Sequence, residues 1–126
     1  MSSWKVFLGE PDVEEYDRKG WELHENGKLT GRPLDTFKKF QKTLRFLSEN
    51  PRHPGLKTHE ISDLTRKAGF KVFESYLENN VPAAGRIFWC YGPKVKSITI
   101  LSIDPHPDDK KSAYSRISLS DIPDIE

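Results

Sequence analysis

The chain has 126 residues, a formal net charge of +1, 35% hydrophobic and 31% charged residues, so we expect one domain (1–126) with one hydrophobic core rather than a disordered chain. No apolar run reaches membrane-spanning length and the N-terminus lacks the apolar stretch of a secretory signal, which predicts a cytoplasmic protein without a membrane anchor. A single cysteine, Cys90, excludes an intramolecular disulfide and a cysteine-cluster metal site, and its apolar neighbours predict a buried thiol.

The N-terminal segment, residues 1–33, is predicted to hold one strand and little regular structure beyond it. Residues 4–9 alternate in polarity, which indicates a short strand. The acidic stretch that follows contains Val13 and Tyr16 at helical spacing and ends in a region rich in Gly and Asn. We therefore expect one or two helical turns and then a loop.

A clear amphipathic helix follows the acidic segment. Four apolar residues recur at i, i+3, i+7 and i+10 from Phe37 to Leu47, which places them on one helical face. Asp35 is the predicted N-cap, and the Asn-Pro pair at 50–51 is predicted to end the helix. Lysine and arginine side chains occupy much of the remaining helix surface.

Three β-type segments follow a connector rich in Pro and Gly at residues 51–62. They span 71–77, 85–91 and 97–103, with links of hairpin length between them. The polar, Pro-interrupted tail at 118–126 is predicted to be loose. This order predicts an α+β domain with N-terminal helices packed on one face of a small antiparallel sheet.

Charge is spread unevenly along the chain. Residues 1–33 carry five Lys and Arg against seven Asp and Glu, residues 34–73 carry nine against four, and residues 74–126 carry six against eight. A basic middle between acidic flanks is typical of a protein that touches a polyanion with one face, although a solvated helix surface would give the same pattern. The candidate nucleic-acid contacts on the helix are Lys38, Lys39, Lys42 and Arg45.

Four pieces of the chain, in this order, resemble the RelE/ParE superfamily of toxins from type II toxin–antitoxin systems. They are a Lys-rich helix ending in FLSENP, the connector HPGLKTHEI, the strand AAGRIFWCY and the strand SITILSIDPH. RelE- and YoeB-type members resemble ribonucleases and cut mRNA in the ribosomal decoding site, whereas ParE-type members share the fold but poison gyrase. The resemblance implies a RelE-like fold, a cognate antitoxin as partner and, in the RelE/YoeB-like branch that we favour, a ribosome-dependent endoribonuclease.

The implied chemistry is metal-free attack of the ribose 2′-hydroxyl, which needs a base, an acid and a cation but no cofactor. By resemblance, Arg86 at the start of the next-to-last strand binds the scissile phosphate, and His106 after the last strand is the general acid. Lys57 in the connector matches a phosphate contact or transition-state stabiliser. The resemblance also implies a catalytic tyrosine near the C-terminus, Tyr114, and further nucleic-acid contacts at Lys110 and Lys111.

The sequence does not identify the general base. YoeB-like members place a glutamate where this chain has Pro54, and His59, Glu60 and Glu74 stay as candidates for the role. Two alternatives of other classes also stay open: a ParE-like gyrase inhibitor, and a non-catalytic member that mainly binds its antitoxin. The missing glutamate favours these alternatives, while a histidine at the end of the last strand favours the nuclease.

Overall fold

The computed structural model describes residues 4–77, 85–104 and 117–124. These ranges hold five strands, three α-helices and one short 3-10 helix. In chain order they are β1 (Lys5–Leu8), α1 (Asp12–Glu25), α2 (Gly31–Glu49), the 3-10 helix (Pro54–Leu56), β2 (His59–Glu60), α3 (Ser62–Ala68), β3 (Phe73–Tyr76), β4 (Arg86–Tyr91) and β5 (Ser97–Asp104).

The five strands form one sheet in the order β1-β5-β4-β3-β2. The predicted α+β class is confirmed, and β3, β4 and β5 form the predicted antiparallel meander. The sheet as a whole is mixed rather than antiparallel, because β1 pairs in parallel with β5. Along the chain, α1 and α2 come between β1 and the other strands. This long connection allows β1 to join the edge of the sheet beside β5 and to run in the same direction as β5.

One face of the sheet packs against α1 and α2. Phe40 and Leu47 of α2 and Val13 of α1 are buried in one cluster with the side chains of β4 and β5. Phe40 and Leu47 are wholly inaccessible to solvent, so the predicted apolar face of α2 is the face that meets the sheet. In the described ranges, no helix combines the length and apolarity that a membrane crossing needs.

The opposite face is covered by α3 and by the segment 117–124. Ile117 is buried against Phe88 and Leu101, and the backbone N–H of Ser120 donates to the carbonyl of Leu101 at 2.7 Å. The structure therefore differs from the loose tail predicted at 118–126 as far as residue 124, because the apolar residues of this segment complete a second core layer. With both faces covered, the near-continuous apolar run of β4 lies in the centre of the sheet, as its sequence predicts.

A β-bulge in β5 sets the orientation of its side chains. The pairing with β4 shifts between Phe88, which lies opposite Ser102, and Trp89, which lies opposite Ile100. The extra residue resets the alternation of faces, so that Ile100 and Ile103 both pack in the cluster beneath α1 and α2 although they are three residues apart.

Both N-terminal helices are longer than the sequence predicts. Helix α1 has 14 residues rather than one or two turns, and its apolar contacts are sparse because a backbone approach at Gly20 replaces side-chain packing. Helix α2 begins at Gly31, so the N-cap is Thr30 and the predicted cap Asp35 lies inside the helix. Pro33 is tolerated there because the first helical turn needs no intrahelical amide donor.

Candidate functional site

Polar side chains from four neighbouring strands share one face at one end of the sheet. His59 lies opposite Glu74 in the pairing of β2 with β3, and Arg86 lies opposite Asp104 in the pairing of β4 with β5. Glu74 also faces Phe88, which is two residues after Arg86. Because side chains on a strand alternate between faces, these polar residues point to the same side of the sheet.

Arg86 is the centre of this polar row. Its Nη1 donates to Oε2 of Glu74 at 2.9 Å, and its Nη2 and Nε donate to Oδ2 of Asp104 at 2.9 and 3.2 Å. Glu74 has no solvent-accessible surface, and the side chains of Arg86 and Asp104 are 15% and 12% exposed. The one guanidinium is therefore shared by two carboxylates, and these three groups together carry a formal charge of −1.

The second oxygen of Glu74 points towards an imidazole. Nε2 of His59 lies 3.0 Å from Oε1 of Glu74, although the contact lies outside hydrogen-bond geometry and this buried oxygen accepts no hydrogen bond from any described residue. Nδ1 of the same ring lies 3.1 Å from the carbonyl oxygen of Lys57. The imidazole is about half exposed, so it joins the buried carboxylate to the protein surface.

His59 opens onto a cleft of about 410 Å³ between the connector and the edge of the sheet. The connector is shaped by His53, whose Nδ1 accepts the backbone N–H of Gly55 at 2.9 Å and whose ring stacks on Phe46. Lys57 follows the 3-10 helix in the left-handed backbone region, with its side chain exposed. The cleft is lined by Arg52, His53, Pro54, Lys57, Thr58, His59, Glu60 and Phe73.

The predicted site residues divide into three groups. Lys57 lies in the cleft, and Arg86 lies in the polar row, joined to the cleft through Glu74 and His59. Strand β5 ends at Asp104, which lies opposite Arg86 and two positions before His106 in the sequence. The predicted residues outside the described part of the chain are His106, Tyr114, Lys110 and Lys111.

Three of the four basic residues predicted on α2 share a groove of about 200 Å³ with the first helix. Lys38, Lys42 and Arg45 line this groove beside the aromatic rings of Trp21 and Phe37. Trp21 is 44% exposed, which is high for a tryptophan. The fourth basic residue, Lys39, is half-buried and does not line the groove. The groove and the cleft at His59 have different lining residues, but Phe46 contacts both, since Lys42 and Arg45 lie over its ring and His53 of the cleft stacks on it.

The described residues also define what the site lacks. No group of three or more His, Cys, Asp and Glu side chains in these ranges is arranged to hold a metal ion. Cys90 is buried, as its sequence neighbours predict, and burial raises the pKa of its thiol to about 11. The thiol is therefore protonated at neutral pH and is not a nucleophile.

The contact between His59 and Glu74 is a feature of the site that the sequence does not predict. Glu74 alternates with Phe73 and Ser75 in a predicted strand, so its burial is not evident from polarity. The only sequence signal is a carboxylate inside an otherwise mostly apolar strand, which must find a cation if it is buried. The partner is supplied by β2, a strand of two residues within the connector at 51–62, where the sequence predicts no strand.

Comparisons with protein-family models, with curated proteins and with solved structures find no match to this chain.

Proposed function

We propose that this protein is the toxin of a toxin–antitoxin pair, a ribosome-dependent endoribonuclease that cuts mRNA by metal-free attack of the 2′-hydroxyl. The observation that carries the proposal is the register of the sheet, which brings Arg86, Glu74 and His59 together on the face where β5 ends at Asp104. An imidazole, a guanidinium and carboxylates on one surface are groups that can move protons and stabilise a phosphate.

The proposal also draws on the order of elements. Arg86 is the first residue of the next-to-last strand, and the last strand ends two residues before His106, which are the positions that the RelE resemblance implies for a phosphate contact and a general acid. In this proposal Lys57 contacts the RNA phosphate from the cleft, and Tyr114 belongs to the same site.

The basic groove gives the proposed enzyme a means of binding its large target. Lys38, Lys42 and Arg45 present three positive charges beside an exposed tryptophan, an arrangement suited to phosphate contacts and base stacking. The partners that we propose are the ribosome with its mRNA and a cognate antitoxin that covers the basic surface. Lys39, Lys110 and Lys111 would add to this surface, and a ribosomal target would place the protein in the cytoplasm.

One observation favours a second candidate function. The guanidinium of Arg86 is held by two carboxylates and its side chain is only 15% exposed, so little of it is open to an approaching phosphate. A protein that acts only by binding, either a gyrase inhibitor or a non-catalytic partner of an antitoxin, has no need of a free guanidinium at this position. The experiment must therefore separate cleavage from binding.

The test is expression of the protein in a reconstituted translation system with mapping of mRNA 5′ ends. The wild type is expected to produce new 5′ ends within translated codons, and Lys57→Ala and His106→Ala are expected to reduce their yield at least 10-fold. Arg86→Lys keeps the charge of the buried network and is preferred to Arg86→Ala, which leaves Glu74 unpaired. Lys94→Ala, which removes a lysine from the link between β4 and β5, is the matched control and should cut as the wild type does.

A gyrase supercoiling assay with the same preparations completes the test. If the wild type produces no new mRNA ends and instead blocks supercoiling, the endoribonuclease proposal fails and the gyrase inhibitor replaces it. If it does neither but forms a tight complex with the protein encoded beside it, the non-catalytic alternative is supported.

A further inference from the structure

We propose that the groove on α2 and the cleft beside β2 form one binding track for single-stranded RNA, and that aromatic rings along this track stack its unpaired bases. This inference rests on the proposed function for the choice of RNA as the target. It goes further in naming the form of RNA that the surface binds, and it assigns the groove to the same mRNA strand that lies in the cleft.

Five exposed basic side chains line the two cavities, and none of them makes an ion pair with a carboxylate in the described part of the chain. They are Arg52 and Lys57 in the cleft and Lys38, Lys42 and Arg45 in the groove. Among the described lining residues the one carboxylate is Glu60, whose Oε2 accepts a hydrogen bond from Thr65. A surface with this excess of positive charge attracts a polyanion.

Phe46 joins the groove to the cleft. Nζ of Lys42 and the guanidinium carbon of Arg45 lie over its ring, 5.6 and 5.9 Å from the ring centroid. The imidazole of His53 stacks on the same ring, with the two centroids 5.3 Å apart and the planes at 6°. Lys42 and Arg45 line the groove and His53 lines the cleft, so the two cavities are neighbours and one extended strand can occupy both.

The basic side chains are spread along the track rather than gathered at one point. Lys38, Lys42 and Arg45 are spaced by four and three positions, so they follow one side of α2 over about 10 Å. Arg52 and Lys57 then continue the positive charge beyond the end of the helix at Glu49. A small anion is bound where donors converge on it, whereas a spread of single cations suits the successive phosphates of a strand.

Aromatic rings lie among these cations. Trp21 lines the groove and is 44% exposed. His53 and Phe73 line the cleft, and each is stacked on another ring, His53 on Phe46 and Phe73 on Trp89 at a centroid distance of 5.0 Å. Rings beside basic side chains are typical of surfaces that bind single strands, because a base in a duplex is not available to stack on a side chain.

The rings also separate RNA from an acidic peptide, the other polyanion that fits a basic surface. Carboxylates pair with lysine and arginine as phosphates do, so charge alone does not distinguish the two partners. Trp21 in the groove and Phe73 in the cleft offer apolar surface that aspartate and glutamate side chains do not cover but unpaired bases do. The combination of charge and rings therefore favours RNA.

The first test measures binding of a labelled single strand to the isolated protein by fluorescence anisotropy. The probe is 2′-O-methyl RNA of mixed sequence, about ten nucleotides long, which lacks the 2′-hydroxyl needed for cleavage. Lys42→Ala in the groove and Lys57→Ala in the cleft should each make the slope of log affinity against log salt shallower by about 0.7, and the double variant by about 1.4. The control is Arg66→Ala/Lys71→Ala, which removes the same charge from α3 and the link after it and should keep the wild-type slope.

Because one strand is expected to occupy both cavities, the wild type should bind a single strand per molecule. Two strands bound per molecule would overturn the continuous track. So would a wild-type slope in either single variant, since the strand would then contact only the groove or only the cleft. Equal slopes for the two double variants would show that neither cavity binds RNA.

The second test concerns base stacking on Trp21. Binding of the same strand is expected to quench the tryptophan fluorescence of the wild type, and Trp21→Leu should remove most of this quenching and weaken binding at least 5-fold. Leu23→Ala is the control, because Leu23 is exposed on the same helix but does not line the groove. Circular dichroism checks that both variants are folded. Binding without quenching in the wild type, or wild-type affinity in Trp21→Leu, would overturn the stacking.

Competition identifies the occupant of the track. Unlabelled single-stranded RNA should displace the probe, whereas duplex RNA and polyglutamate of equal charge should need at least 10-fold higher concentrations. Displacement by polyglutamate as readily as by the single strand would overturn the assignment to RNA in favour of an acidic peptide. These measurements need no ribosome, so they separate the two proposals: a protein that binds the strand but cuts no mRNA during translation defeats the proposed function, whereas cleavage without strand binding defeats only this inference.

Discussion

Arg86 contributes to the stability of the protein and also belongs to the proposed site. Two carboxylates, Glu74 and Asp104, converge on one guanidinium that is 15% exposed. Removing one member of a buried charge network is costly since the remaining charges lose their compensation in a medium of low polarity. A loss of activity on changing Arg86 therefore has to be read together with a measurement of stability.

Arg86→Met is expected to lower the free energy of unfolding by about 3 kcal/mol, because Glu74 stays buried without its cation. Urea denaturation followed by circular dichroism measures the change. The matched control is Arg66→Met, since Arg66 pairs with Asp63 on the exposed surface of α3 and is expected to cost less than about 1 kcal/mol. Equal losses for the two variants would contradict the buried network.

The buried thiol of Cys90 makes the free energy of unfolding fall at alkaline pH. Burial raises the pKa of its thiol from 9.0 to about 11, whereas the unfolded chain ionises near the lower value. Unfolding therefore releases a proton between these two values, and the free energy of unfolding is intact below pH 9 and falls as pH rises towards 11. By pH 10 the loss from this group is about 1 kcal/mol.

Urea unfolding of the wild type and of Cys90→Ala at pH 7 and pH 10 checks this value. The wild type should lose about 1 kcal/mol more than the variant between the two pH values, because the other titrating groups are common to both. A thiol reagent at pH 8 should label Cys90 only as fast as the protein unfolds. Identical pH profiles for the two proteins would show that the thiol is not protected.

At the scale of the element, helix α1 meets helix α2 by a close backbone approach. A Cβ atom at position 20 would lie 2.1 Å from Cε1 of Phe37, so the ring packs directly on the backbone of Gly20. The same ring is in edge contact with Trp21, at a centroid distance of 5.3 Å. The glycine, which normally weakens a helix, is thus what allows these two helices to meet.

Gly20→Ala is expected to destabilise the protein by about 2 kcal/mol through overpacking, against the gain of about 1 kcal/mol that alanine gives in an exposed helix. Thermal and urea denaturation measure the sign and size of the change. Glu25→Ala, at the exposed end of the same helix, is the control and should change stability by less than about 0.5 kcal/mol. A stabilising Gly20→Ala would contradict the close approach.

At the scale of the whole molecule, the segment 117–124 ties the C-terminal part of the chain to its beginning. Backbone hydrogen bonds join Glu10 to Asp121 in both directions, at 2.8 and 2.9 Å, and Lys67 of α3 donates to the carbonyl of Ile117. The segment also covers Leu101 and Phe88 on the sheet. The second face of the sheet thus depends on residues that are distant in sequence.

Ile117→Ala is expected to lower the free energy of unfolding by about 2–4 kcal/mol, because it leaves a cavity above Phe88 and Leu101. The exposed neighbour Ser118 provides the control, and Ser118→Ala should be within about 0.5 kcal/mol of the wild type. Chemical denaturation gives both values. If the two substitutions cost the same, the segment does not contribute to the core.

Local spacing is enough to predict the elements that follow a strict period. The face of α2 around Phe40 and the meander of β3, β4 and β5 are of this kind, since their pattern reports which side chains leave water. The length of α1 cannot be predicted in this way, because its contact with α2 is made through the backbone of Gly20 and leaves few apolar residues at helical spacing. Of the site, the sequence suggests Arg86, Lys57 and His59 as separate candidates but gives no reason to connect them.

By itself, the sequence determines the α+β class, the central position of β4, the burial of Cys90 and the excess of basic side chains on α2, because each depends on residues within one turn or one strand. The tertiary structure decides the parallel pairing of β1 with β5, the docking of Ile117 and the line of contacts from His59 through Glu74 to Arg86. These features depend on pairings between residues far apart in the chain, and the register of the sheet, rather than any local pattern, sets which side chains meet.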